Sequence, residues 1–179
     1  YPNALWLAKE SFEKAKELDV KNRYQNEIQG GFGEIQGLSG NQGITAYNAG
    51  DFATAGKMFD LGTDIAAAFD VVDTMGIFNA ALCYEKSNQV DLAIERYKRC
   101  GDLNYQVPNV YLFISTLLRN NGRTEEALSA LQAARELFPR EQGLIIEELN
   151  IYLEAEDFER AENNLKLAAE GDPTNEILW

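Results

Sequence analysis

Small and large apolar positions return along this chain in a fixed order. Ala55, Ala93, Ala127 and Ala161 recur at intervals of 38, 34 and 34 residues. Each stands two intervening residues after a turn-like triplet: Gly50-Asp51-Phe52, Asn88-Gln89-Val90, Gly122-Arg123-Thr124 and Glu156-Asp157-Phe158. Four residues beyond each alanine comes a large apolar residue, Phe59, Tyr97, Leu131 or Leu165, and three further on a small one, Gly62, Cys100, Ala134 or Ala168. Spacings of four and three place these residues on one helical face. Two antiparallel helices joined by a short turn approach closely only where small side chains meet, and the large residue one turn later fills the space beside that contact. Pro139 and Pro173 each fall twelve residues after an alanine and mark the corner into the next hairpin, because proline cannot continue a helix interior. A period near 34 with this order of sizes predicts an all-α array of stacked helix hairpins, an architecture that offers an interaction surface more readily than an active site.

The pattern is less regular before residue 50. Ala8, Phe12, Ala15 and Leu18 repeat the spacing of a second helix without a first. Tyr24, Ile28, Phe32, Ile35 and Leu38 fall at helical spacing, yet Gly30, Gly31, Gly33, Gly37, Gly40 and Gly43 crowd into the same stretch. Each helix-interior glycine costs about 1 kcal/mol against alanine. The segment 23-49 therefore reads either as one elongated helix that uses its glycines for close packing or as two helices with a flexible joint. At the other end Glu176-Ile177-Leu178-Trp179 resembles the opening of a further hairpin. Both ends look cut, and hydrophobic faces exposed there would favour self-association.

These residues resemble the tetratricopeptide repeat motif. Tyr111, Ile114, Ser115, Leu118, Gly122, Ala127, Leu131, Ala134 and Pro139 stand where that family places aromatic, aliphatic, small and proline residues. Ile145, Leu149, Tyr152, Asp157, Phe158, Ala161, Leu165, Ala168 and Pro173 repeat the set. The resemblance implies a right-handed superhelical solenoid of antiparallel helix pairs forming one domain. Its parts are 1-22 (second helix of a truncated repeat), 23-35 (inserted or elongated helical segment), repeats 36-69, 74-107, 108-141 and 142-175, and the repeat start 176-179. In that family the first helices line a concave groove for extended peptides or partner helices. By register the groove candidates are Tyr47, Phe78, Leu82, Glu85, Thr116, Arg119, Asn120 and Asn150. The implied role is a protein-interaction scaffold without catalysis of its own. A module acting through its repeat edges, or a regulatory domain of a larger protein, is the alternative. The carboxylate clamp of chaperone-binding members is not expected, since its positions carry Gly40, Ile44, Asn79, Asn109 and Phe113 and only Asn79 fits.

Composition narrows the chemistry. The chain is 45% hydrophobic and 25% charged, with 16 basic against 29 acidic residues and a net charge of −13. An acidic surface repels phosphate backbones, so a nucleic-acid partner is not expected; it reads as a solvated surface that keeps the chain soluble or, alternatively, as a field that steers basic partners. Histidine is absent, which removes the commonest general base and most zinc sites. The carboxylates Glu147, Glu148, Glu154, Glu156, Asp157 and Glu159 read as solvated helix faces, and no catalytic residue, metal or cofactor is expected. Gly31, Gly33 and Gly37 miss the dinucleotide-loop spacing and follow no strand pattern. Cys83 and Cys100 read as buried free thiols. No apolar stretch approaches the roughly 20 residues a membrane-spanning helix needs. The glycine-containing insertion with Gly50-Asp51-Phe52 and Asn150-Ile151-Tyr152-Leu153 resembles bacterial cell-envelope repeat proteins, which leaves cytoplasm and periplasm both open.

Overall fold

In a computed structural model, residues 3–171 are described, apart from the side chains of Ala168 and Glu170. Pro173, the small-residue position Ala168 and the expected repeat start 176–179 lie outside what is described. Among the described residues all regular structure is helical. The elements are α1 (Ala4–Leu18), α2 (Gln25–Asn48), α3 (Phe52–Ala67), α4 (Thr74–Lys86), α5 (Val90–Asp102), α6 (Asn109–Asn120), α7 (Thr124–Leu137), α8 (Gln142–Glu154) and α9 (Phe158–Gly171). The chain divides into two compact units, Tyr1–Arg96 and Tyr97–Trp179. In the first, α1 packs on α2, α2 on α3 and α3 on α4. In the second, α6 packs on α7, α7 on α8 and α8 on α9, with α6 and α8 side by side.

One turn stands ahead of each of the four recurring alanines, and Asp70 and Asn104 make the same turn elsewhere. Gly50, Asn88, Gly122 and Glu156 each take a positive φ, of 79°, 58°, 73° and 56°. Each precedes its alanine by five residues. The next residue's N–H donates to a carbonyl five positions back: Asp51 to Ala46, Gln89 to Tyr84, Arg123 to Leu118 and Asp157 to Tyr152, at 2.8–3.0 Å. The left-handed residue thus satisfies the last free carbonyls of one helix while reversing the chain into the next. Asp51 Oδ1 accepts from the Thr54 N–H and Asp157 Oδ1 from the Arg160 N–H, capping α3 and α9.

The predicted small-residue contacts are buried. Ala55, Ala93 and Ala127 are 0% exposed and Ala161 is 4% exposed. Of the large residues that follow, Tyr97 and Leu131 are fully buried, whereas Leu165 is 37% exposed because the described helices leave that side of α9 open.

α2 is one uninterrupted helix of 24 residues, running through the junction placed between 35 and 36. Its buried stripe is Ile28, Phe32, Ile35, Ser39 and Gly43, whereas Tyr24 and Leu38 are 62% and 43% exposed. Phe32 anchors the first unit's core between Phe12 and Phe69, with ring centroids 5.8 and 5.2 Å away. The glycines of α2 divide into two groups. A Cβ on Gly31 would strike the Phe12 ring, and one on Gly43 would stand 3.0 Å from the Phe59 ring. Gly30, Gly33, Gly37 and Gly40 have nothing within 4 Å of where a Cβ would be. Close packing therefore accounts for Gly31 and Gly43 only. Chemical or thermal unfolding should show Gly33→Ala and Gly37→Ala each stabilising the fold by about 0.5–1 kcal/mol, whereas Gly31→Ala should cost about 1–3 kcal/mol.

Cys83 and Cys100 are buried free thiols, and burial pushes the pKa of each up to about 11. Folding thus favours the neutral thiol. That contribution is fully present below the ordinary thiol pKa of 9.0 and is lost as pH rises toward about 11. Unfolding followed from pH 8 to 11 should show stability declining over this window, with a shallower decline in the Cys83→Ala/Cys100→Ala double variant. In the native protein both thiols should alkylate slowly at pH 8 and rapidly once denaturant is added.

Candidate partner-binding surface

The first unit brings two of the groove candidates into one recess. Gly43 lets the Phe59 ring press against α2, and the next outward residues on that helix are Ile44, 55% exposed, and Tyr47, 40% exposed. Tyr47 is braced edge-on by Phe52, ring centroids 5.3 Å apart. Asn79, Leu82 and Cys83 of α4 complete a recess of about 180 Å³ with Ile44, Tyr47 and Phe59. Phe78, half-buried, and Glu85, exposed, lie one helical turn before and after Leu82. The walls are apolar and Asn79 supplies the amide, a combination suited to an apolar side chain with one hydrogen-bonded backbone group beside it. The sequence reading missed Ile44 and Asn79 as a pair, having weighed them only as clamp positions. The sequence signal for Ile44 was its place one turn before Tyr47 on the same helical face. Gly30, Gly33, Gly37 and Gly40 continue the Ile44–Tyr47 line back along α2 at alternating steps of three and four, leaving its backbone uncovered.

The second unit treats its candidates differently. Thr116 Oγ1 donates to Glu147 Oε1 at 3.3 Å, and Arg119 Nε donates to the same oxygen at 3.2 Å. Arg119 Nη1 also reaches Glu154 at 2.5 Å. Thr116 and Arg119 therefore bind α6 to α8, and the guanidinium is already held between two carboxylates. Asn120 and Asn150 are exposed.

Two carboxylates expected on solvated faces are not solvated. The Glu147 side chain is 12% exposed beside Arg119, and that of Glu148 is 6% exposed. Glu148 accepts from Tyr152 Oη at 2.8 Å and pairs with Arg135, which donates in turn to Asn164 Oδ1 at 3.0 Å. Burial, then the bond to Glu148, pushes the Tyr152 phenol above its ordinary pKa. Each carboxylate is matched by a guanidinium, the arrangement that makes a buried charge tolerable. Glu154, Glu156 and Glu159 are exposed as expected, while Asp157 is partly covered and caps α9. Among the described residues no cluster of three or more His, Cys, Asp or Glu could hold a metal ion, and no helix is long and apolar enough to cross a membrane.

No family model matches the chain. Photosystem I assembly proteins Ycf3 from two strains of Prochlorococcus marinus, MIT 9303 and MIT 9313, are each 27% identical to it over 111 residues. Those alignments take in 62% of this chain and 63% of either relative, so the chain spans less than two thirds of their length. Among solved structures, one of MamA superposes with a TM-score of 0.57 at 13% identity, covering 87% of this chain and 96% of that one. MamA MSR-1 gives 0.55 at 21% identity, covering 96% and 98%. YrrB, described as a TPR protein with an unusual peptide-binding site, gives 0.53 at 20% identity, covering 96% and 94%. Together with the left-handed turn residue that stands five positions ahead of each buried alanine, these likenesses give the chain the fold of the tetratricopeptide repeat proteins, a solenoid of antiparallel helix pairs.

Proposed function

We propose that this chain is an interaction scaffold that holds a peptide or helix of a partner protein on the surface of its first helices, without catalysis of its own. The observation that carries the reading is the recess between α2 and α4, where Ile44 and Tyr47 stay exposed beside Leu82 and Asn79. Large apolar side chains left at the mouth of a recess are an unspent burial term that a partner can use. Phe78 and Glu85 extend this surface along α4; the second unit, by itself, exposes the amides of Asn120 and Asn150. Thr116 and Arg119 contribute by holding α6 and α8 in place. The likeness to YrrB, whose structure is described by its peptide-binding site, and to the Ycf3 assembly proteins supports a role in protein association.

Selection from a phage-displayed peptide library tests this directly. Peptides selected on the native chain should bind the Ile44→Ser/Tyr47→Ser variant at least about tenfold more weakly, because a few buried apolar anchors dominate such interfaces. Circular dichroism should remain unchanged, since both side chains are exposed. Selected peptides that bind native and variant chains alike would remove the recess from the reading.

The outer side of α9 favours a second mode, self-association. Phe158 is 67% exposed and Leu165, two turns along the same face, is 37% exposed. Sedimentation equilibrium should then show a concentration-dependent dimer for the native chain and a monomer for Phe158→Glu/Leu165→Glu. A native chain that stays monomeric at about 100 μM, well above an affinity of biological use, excludes this mode.

A further inference from the structure

The sequence contains a single Asn-Gly pair, Asn121-Gly122, and it stands in the turn between α6 and α7. Asn121 is the C-cap of α6 with φ −103° and ψ 15°, and Gly122 follows with φ 73°. Both residues are exposed. The Gly122 N–H donates to the Arg119 carbonyl at 2.9 Å, and the Arg123 N–H to the Leu118 carbonyl at 3.0 Å. These bonds satisfy carbonyls that α6 leaves open at its end. Asn121 Nδ2 donates to one more of them, the Leu117 carbonyl, at 2.8 Å. The asparagine side chain is therefore part of the latch that returns α7 against α6, the packing in which Ala127 is 0% exposed.

An Asn-Gly pair can react with itself, because glycine places no Cβ in the way of close backbone approach. The Gly122 amide loses its proton, and its nitrogen bonds to Cγ of Asn121. The Cγ–Nδ2 bond breaks, and the amide nitrogen leaves with that proton as ammonia. Water then opens the cyclic imide at either carbonyl, which puts aspartate or isoaspartate at position 121. The folded turn opposes the first step at three points. The Gly122 N–H is engaged by the Arg119 carbonyl, and the carboxamide is tethered to the Leu117 carbonyl. At ψ 15° the Gly122 nitrogen also lies across the Cα–C bond from the side chain it must attack. Ring closure requires rotation about that bond, which pulls Gly122 and Arg123 away from α6.

We infer that Asn121-Gly122 is a modification site that the α6–α7 turn keeps shut, and that deamidation, once the turn has opened, hinders its closing. An aspartate at 121 offers only acceptors, so it cannot bond the Leu117 carbonyl, and it adds negative charge at the negative end of the α6 dipole. An isoaspartate lengthens the backbone by a methylene and shifts the Gly122 and Arg123 N–H groups off their carbonyls. Either product weakens the hold of α7 on α6. The site belongs to the second unit and uses nothing of the recess between α2 and α4, so it stands or falls separately from the partner reading.

The reference is the blocked peptide acetyl-Leu-Leu-Arg-Asn-Asn-Gly-Arg-Thr-Glu-Glu-Ala-amide, which carries residues 117–127 and is too short to hold a helix by itself. Chain and peptide are incubated side by side at neutral pH, and fragment masses report deamidation at position 121. The native chain should deamidate there at least about tenfold more slowly than the peptide, since opening the turn breaks several hydrogen bonds at once. Urea below the unfolding midpoint should accelerate the reaction in the chain more than in the peptide. Asn121→Asp should lower Tm by about 2–4 °C. Asn120→Asp, at a side chain with no hydrogen bond among the described residues, should lower it by less than half as much. Equal rates in chain and peptide, a urea response no greater in the chain, or an Asn121→Asp variant no less stable than Asn120→Asp would each overturn the assignment.

Discussion

The structure depends on how closely two helices can approach where only a methyl group or a hydrogen lies between them. At Ala55, Ala93 and Ala127 the contact is fully closed to solvent, and a larger side chain would have no room without parting the helices. The turn that precedes each contact makes the approach possible. A left-handed residue, glycine at 50 and 122, reverses the chain within a few residues, so the second helix returns directly against its neighbours. Glu156 adopts the same conformation although its side chain disfavours it, in the turn that joins the packed helices α8 and α9.

Close packing accounts for the apolar interior, and a sparse set of guanidinium–carboxylate pairs sets the alignment of neighbouring helices. Arg96 with Asp60, Arg119 with Glu147, and Arg135 with Glu148 join residues 36, 28 and 13 positions apart. Each pair is partly or wholly shielded, so each has directional demands that apolar contacts lack. Cations are scarce in this chain, 16 against 29 acids, and these pairs consume several of them internally. What is left on the outside is acidic on balance.

Two surfaces of the first unit follow from the same packing. Because Gly43 admits Phe59 so closely, Ile44 and Tyr47 border a hollow instead of a filled layer. Where α1 and α3 run side by side, a cleft of about 470 Å³ opens between them. One surface is apolar with a single amide, and the other mixes aromatic, aliphatic and charged side chains.

Much of the fold was legible in the sequence because its determinants are local. The turn triplets, the alanine that follows each and the large residue one turn on all lie within a dozen residues, and helix geometry converts such spacing directly into a shared face. The roles of individual glycines and acids were not legible. Gly31 and Gly33 are indistinguishable in sequence, yet only Gly31 meets a ring, that of Phe12 from another helix. Glu147 and Glu154 lie on one acidic helix and read alike, yet Arg119 from α6 shields the first and leaves the second 58% exposed. The recess at Ile44 likewise required α4 to bring Asn79 and Leu82 beside α2. Helix boundaries and register follow from neighbours along the chain, whereas burial, pairing and cavity shape follow from neighbours across it, which only the packed helices bring together.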